Sequence, residues 1–294
     1  MSRLEEALEK AMLKRQKITR DVPEEASLTG EHKPSKITPF KHKETQKLSN
    51  KSIKSKKGVR HINITNPYLV TATNPDSPIS EEYRKLKSMV VKLTKMDDFN
   101  NTLLITSSLG GEGKSITALN LAITLAHEYD HTVLLVDVDF RQPSINKYLN
   151  IETDVGLGDC LIENKDLSDA IIKTNIGKLS ILPAGKHITN PVEILLSDRM
   201  KEIVSELKER YTDRYIIFDA PPVLPFAETH HLASLVDGVI FVIKEGHAPL
   251  KSINESINLL KDSKILGIVY NNAYVDRFDG HYYYYYKNSY GDRG

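Results

Sequence analysis

The residues best suited to chemistry lie in "SSLGGEGKSITALNLA", positions 107–122, where glycines, a lysine and a serine stand at a telling spacing. A phosphate loop reads Gly, four residues, then Gly-Lys-Ser/Thr; its second half is complete here as Gly113, Lys114 and Ser115, while Ser108 takes the first position. Gly110, Gly111 and Gly113 let the backbone curl so that successive N–H groups face an anion. A helix opening at the same point adds partial positive charge. Lys114 would reach the β- and γ-phosphates of a nucleotide, and the Ser115 hydroxyl would ligate Mg²⁺. The nucleotide-binding candidates are therefore Gly110, Gly111, Glu112, Gly113, Lys114, Ser115 and Ile116.

A nucleotide loop needs a carboxylate to manage its metal, and two strand ends offer one. "IIFDAPP" closes an apolar run with Asp219, and Pro221 and Pro222 stop the strand there. "LLVDVDFRQP" carries Asp137 and Asp139 two residues apart, on one face if strand geometry continues, with Arg141 two residues further on. One Asp at a strand end is an ordinary turn-former, whereas a pair with a third on another strand points to a site.

The elements that must position these groups are legible as alternating patterns. The segments 102–107, 132–138, 179–184, 215–220, 238–244 and 265–271 are near-continuous apolar strands, and helical stretches lie between most of them, as at 114–129, 191–210 and 249–262. Strands apolar on both faces that alternate with helices imply a mostly parallel sheet covered on both sides. Ahead of them, "SPISEEYRKLKSMVVKL" begins with Pro78 and a cap-type Ser80, then keeps helical spacing through Tyr83, Leu86, Met89, Val90 and Leu93.

Ser108 to Ser115, "LLVDVDFR" and "IIFDAPP" together resemble the three Walker-type motifs of the bacterial tyrosine kinases, from about residue 78 to the end of the chain. That resemblance implies an α/β fold, a P-loop NTPase-like three-layer sandwich with a mostly parallel central sheet flanked by helices. It implies ATP and Mg²⁺ as ligands, Lys114 and Asp137 or Asp139 as catalytic groups, and Ser115, Asp139 and Asp219 around the metal. Asp137 is the implied base, with the choice between Asp137 and Asp139 open. Arg141 and Asn271 join the nucleotide-binding set, Asn271 because its place after the last strand resembles a base contact in related ATPases. "EEYRKLK" resembles the family's Glu-x-x-Arg-x-x-Arg self-association motif through Glu81 and Arg84, with Lys87 in place of the second Arg. Lysine lacks the planar fork of arginine, so a ring assembly would be weakened at that point. The opening "MSRLEEALEKA" is similar to the N-terminus of the exosortase-associated tyrosine autokinases.

The end of the chain supplies an acceptor. Of fourteen tyrosines, Tyr274, Tyr282, Tyr283, Tyr284, Tyr285, Tyr286 and Tyr290 fall in residues 274–294. The resemblance implies that Tyr282 to Tyr286 and Tyr290 are phosphorylated by a neighbouring subunit of a homo-oligomer. It also implies a separate, membrane-embedded polysaccharide copolymerase-type activator, and a role in exopolysaccharide synthesis or export. Two other functions share the loop. Dimerising positioning ATPases carry a signature lysine five residues before the loop lysine, where this chain has Leu109, and a catalytically weak adaptor would bind ATP only to assemble.

Composition bounds the rest. A net charge of +1, from 40 Lys and Arg against 39 Asp and Glu, suggests no general attraction to nucleic acid. Cys160 is the single cysteine, which excludes an internal disulfide framework and paired-cysteine metal sites, and it reads as a small buried apolar residue. His230 and His231 read as surface residues of a loop. With no long apolar run or signal-type start, the expected place is cytoplasmic, peripheral at the inner face of the membrane through a partner. Four segments follow: an amphipathic helix over 1–20 with Leu4, Ala7, Leu8, Ala11 and Met12 on its stripe, a basic linker over 21–77, a nucleotide-binding domain over 78–273 and the tyrosine tail over 274–294.

Overall fold

A computed structural model describes residues 58–95, 100–210 and 213–273, all within the second of the two units into which the chain divides, Met1–Lys54 and Ser55–Gly294. The N-terminal helix, most of the linker and the tyrosine tail lie outside the described residues.

Seven strands form one sheet in the order β3-β4-β2-β5-β1-β6-β7. In chain order they are β1 (Thr102–Ser107), β2 (Thr132–Asp137), β3 (Ile172–Lys173), β4 (Leu179–Leu182), β5 (Arg214–Asp219), β6 (Gly238–Lys244) and β7 (Ile265–Asn271). Every pairing is parallel except β3 with β4, a two-residue antiparallel edge that the apolar pattern did not announce. Parallel strands need crossovers, and these supply the helices on both faces. Alternation within each strand feeds two cores. Leu104, Leu134, Val136, Ile216, Phe218 and Phe241 face one side, and Leu103, Ile105, Val133, Leu135, Tyr215 and Ile217 face the other.

The helices are α1 (Val70–Thr73), α2 (Pro78–Thr94), α3 (Lys114–Ala126), α4 (Ile145–Leu149), α5 (Leu157–Ile162), α6 (Leu167–Ala170), α7 (Pro191–Leu195), α8 (Asp198–Arg210), α9 (Ala227–Leu235) and α10 (Leu250–Leu259). α3 is buried on nearly every face, which explains its apolar composition: it packs on β2 and β1 beneath and takes α2 and α1 above. None of the described helices is long and apolar enough to cross a membrane.

Four expectations change in detail. The fold begins before residue 78: Ile62 and Leu69 are buried in the core around α3, and Asn120 on α3 donates to the Tyr68 carbonyl (2.9 Å) and accepts from the Thr71 amide (3.1 Å). These few apolar residues are diluted by polar ones, so composition alone grouped them with the basic segment. The cap of α2 is Ser77, whose hydroxyl accepts from the Ser80 amide at 3.2 Å; Ser80 is buried one turn in and donates to the Asn74 carbonyl at 2.8 Å. Segment 191–210 is two helices, because Ser197 stops α7 and its hydroxyl accepts from the Met200 amide at 3.2 Å. His230 and His231 sit on α9, the first exposed and the second half-buried, so they lie on a helix surface instead of a loop. Cys160 is fully buried, as expected.

If 58–77 belong to the fold, Leu69→Ala should cost about 2–4 kcal/mol in urea denaturation. A loss under about 0.5 kcal/mol, the level of an ordinary surface site, would detach that segment from the folded unit.

Candidate active site

Because the strands run parallel, their C-terminal ends share one edge, and ligands of open α/β sheets bind in the crevice outside that edge. β1 delivers the phosphate loop there, β2 delivers Asp137, β5 delivers Asp219, and β6 and β7 end at Lys244 and Asn271. Asp137 and Asp219 are direct partners in the β2–β5 register, and Ile105 of β1 is paired with Asp219 on its other side. Register alone brings the two carboxylates together beneath the loop.

The loop has the backbone its glycines predict. Gly111 and Gly113 take left-handed φ values of 82° and 93°, and Gly113 forms the start of α3. A side chain at Gly113 would be strained by that φ and would collide with the Asn271 amide nitrogen. Lys114 and Ser115 then open α3, with Ser115 nearly buried. Ile116 follows on its first turn, partly exposed.

Lys114 Nζ bonds Asp139 Oδ2 at 2.7 Å, with 12% and 4% of the two side chains exposed. Burial alone would draw this ammonium downward, but the charges of Asp219, Asp139 and Asp137 outweigh it and hold the lysine above its ordinary pKa. Asp139 Oδ1 accepts from the Gln142 amide at 3.0 Å. Asp139 is not on the strand, which ends at Asp137, so the two-residue alternation does not apply; the two acids are joined by a turn in which the Asp139 amide donates to Asp137 Oδ1 at 3.2 Å. Asp137 Oδ2 accepts from the amides of Ser144 (3.0 Å) and Ile145 (3.2 Å), the start of α4. Burial, then the facing charge of Asp219, push Asp137 up to about 8 despite those amides. Burial likewise raises Asp219, to about 6, against the pull of Lys114 and of the neighbouring Ser115 hydroxyl.

Asp219 differs from the other two acids. It is fully buried, and among the described residues neither of its oxygens closes a hydrogen bond of ordinary geometry. A buried carboxylate in that condition is costly unless a cation completes it. Asp219, Asp139 and the Ser115 hydroxyl are hard oxygen donors of the type Mg²⁺ takes, and the loop amides suit a phosphate, so the residues fit a magnesium nucleotide.

Three expected nucleotide contacts are engaged within the protein. Glu112 is fully buried, and its carboxylate accepts from the amides of Leu109 (2.7 Å) and Lys244 (3.3 Å). Asn271 donates to the Glu112 carbonyl at 2.8 Å. Arg141 Nε pairs with Glu228 Oε1 at 2.8 Å, and its guanidinium lies 4.3 Å from the centre of the Phe226 ring. The motif spacing that singled these residues out says nothing of their partners, which come from the loop itself, the end of β6 and α9. Glu81 and Arg84 pair with each other at 2.6 Å, and Lys87 pairs with Glu128.

Sequence reasoning missed Glu228 and His247. His247 follows β6, and its Nε2 donates to the Gly110 carbonyl at 2.8 Å. A scan of every C-terminal strand end would have found it; Glu228 has no comparable signal.

A family model described as an AAA domain matches residues 100–266. The tyrosine-protein kinase YwqD of Bacillus subtilis is 32% identical over 74% of this chain and 90% of its own length. The chain belongs to the bacterial tyrosine kinases. Among solved structures, the chimerical protein CapA2B2 matches with a TM-score of 0.65 and 28% identity over 72% of this chain and 92% of that one. The kinase domain of the Escherichia coli tyrosine kinase ETK matches with a TM-score of 0.67 and 25% identity over 74% and 85%. The P-loop NTPase-like sandwich and the tyrosine-kinase class expected from the three motifs are thereby confirmed.

The electrostatics predict a pH dependence. Asp137 and Asp219 have native pKa values above those of the unfolded chain, so the native state holds more protons; their contribution to stability is complete below about pH 4 and is lost as pH rises to about 6 for Asp219 and to about 8 for Asp137. Metal-free protein should lose up to about 1.4 kcal/mol per pH unit for each such carboxyl between about pH 4 and that carboxyl's native pKa, so that above about pH 6 the remaining slope belongs to Asp137. Asp137→Asn should flatten the slope in denaturant titrations with chelator present; an equal slope in the variant would place the titration elsewhere.

Proposed function

We propose that this chain is an ATP- and Mg²⁺-dependent protein tyrosine autokinase whose acceptors are Tyr282 to Tyr286 and Tyr290, presented by a neighbouring subunit. The observation that carries the reading is the gathering of Lys114, Ser115, Asp137, Asp139 and Asp219 at one sheet edge in a chain of this family. Lys114 would leave Asp139 to bind the β- and γ-phosphates, and Ser115, Asp139 and Asp219 would hold Mg²⁺, whose charge screens the transferring group.

A phenol of pKa about 10 is protonated at neutral pH, so attack is aided by a base. As the phenolic oxygen bonds the γ-phosphorus and the bond to the ADP oxygen breaks, the phenolic proton passes to a carboxylate. Asp137 suits that task better than Asp139, because its surroundings favour holding a proton whereas Asp139, once Lys114 has turned to the phosphates, would be occupied by Mg²⁺. Adjacent tyrosines need no exact register, and about 20 residues of extended chain can span roughly 65 Å, enough for delivery to another subunit.

Each phosphorylated tyrosine gains about 1.5–2 negative charges, so a modified cluster repels its copies and leaves a shared site. Glu81, Arg84 and Lys87, each partly exposed and paired within the chain, would have to exchange those partners to pair across subunits. Cycling between packed and dispersed assemblies would regulate exopolysaccharide synthesis or export, with a membrane-embedded copolymerase-type protein as activator and the kinase held peripherally at the inner face of the membrane.

Purified protein incubated with ATP and Mg²⁺, with and without candidate activator segments, should show phosphotyrosine at 282–290 by mass spectrometry, and Lys114→Met should lower it at least about 100-fold. Nucleotide binding without phosphotyrosine under any condition, or equal labelling of the variant, would overturn the proposal.

A further inference from the structure

The side chains that grip the phosphate loop from outside fall on a pattern. His247 donates to the Gly110 carbonyl, and Asn271 donates to the Glu112 carbonyl, both at 2.8 Å. A trans peptide sets the carbonyl of one residue and the N–H of the next on opposite sides of the chain. No cis peptide occurs among the described residues. Fixing the Gly110 and Glu112 carbonyls outward therefore aims the Gly111 and Gly113 N–H groups the other way. Those are the two left-handed glycines of the loop, the positions whose N–H direction is least constrained by a side chain of their own.

Glu112 completes the frame. Its buried carboxylate ties the Leu109 amide at the start of the loop to the Lys244 amide at the end of β6, so the loop is anchored to the strand that precedes His247. Fit adds to this reading. A side chain at Gly113 would overlap the Asn271 amide, and one at Gly111 would lie 3.6 Å from the His247 ring, so each donor is packed against the glycine whose N–H it directs.

We propose that His247 and Asn271 are positioning residues of the phosphate site, which pin two loop carbonyls outward so that the amides of Gly111 and Gly113 are held ready for the phosphate chain. The inference rests on the nucleotide reading of the loop but not on tyrosine transfer. It gives Asn271 a task different from base contact, and the two tasks separate when the ligand has no base. His247 is exposed, so its replacement leaves the core intact, and Asn271 is only half-buried.

The test uses the full chain and two probes, ATP and inorganic tripolyphosphate, each with Mg²⁺, followed by calorimetry beside a thermal melt of the ligand-free protein. His247→Ala and Asn271→Ala should each weaken both probes by a similar factor, about 3- to 10-fold, the worth of one neutral hydrogen bond. Ligand-free melting should stay near wild type, and His247→Gln, which restores an N–H donor, should recover most of the loss. Unchanged affinity for both probes would overturn the inference. So would weaker ATP binding with tripolyphosphate unaffected, which would return Asn271 to the base, or a Gln variant as weak as Ala. Wild-type protein that binds both probes yet never labels tyrosine would count against the kinase proposal alone.

Discussion

Asp137 and Asp219 meet side by side because β2 and β5 are adjacent, parallel and in a register that aligns their last residues. Two buried carboxylates at that separation repel, and Asp139 in the following turn adds a third. Lys114 is the cation the loop brings to them, and one ammonium balances one carboxylate. The remaining negative charge is the constraint from which the site's other properties follow. Burial raises both strand-end acids, the facing charge of Asp219 adds to the rise of Asp137, and the acids together hold the lysine charged and suit the pocket to a divalent cation.

The same arrangement accounts for the division of labour among the acids. Asp137 accepts three backbone amides, which fix its direction, and its raised pKa favours taking up a proton. Asp139 is committed to Lys114 and the Gln142 amide. Asp219, with Lys114 and the Ser115 hydroxyl nearby, closes no hydrogen bond of ordinary geometry among the described residues. Three carboxylates of one chemical type thus acquire different capacities from their neighbours alone, the physical basis for the separate roles proposed for them.

Much of this was legible in the sequence. Strands buried on both faces leave unbroken apolar runs, so six of the seven appeared with ends within two residues, and the acids that close β2 and β5 were visible as the first polar residues after such runs. β3 escaped because two residues carry no period. The segment 58–77 escaped because its anchors, Ile62 and Leu69, are isolated in a polar stretch and the groups that fix the backbone there, Asn175 at Ile62 and Asn120 at Tyr68 and Thr71, lie some fifty to a hundred residues away. Glycine spacing announced the loop, since the phosphate chemistry selects for it locally. Its supports were silent: Glu112, His247 and Asn271 act on backbone groups brought together only by folding. Arg141 was read from its place beside the acids, yet its partner Glu228 lies on α9, beyond any local pattern.

The claim that a surplus of buried negative charge is completed by a divalent cation is tested most directly at Asp219. Melting of wild-type protein and Asp219→Asn would be followed with saturating ADP, with and without Mg²⁺. Mg²⁺ should raise the melting temperature of wild type by several degrees and leave the variant nearly unmoved, while the metal-free variant melts no lower than wild type because a repelled buried charge has been removed. A full Mg²⁺ shift in Asp219→Asn would contradict the claim.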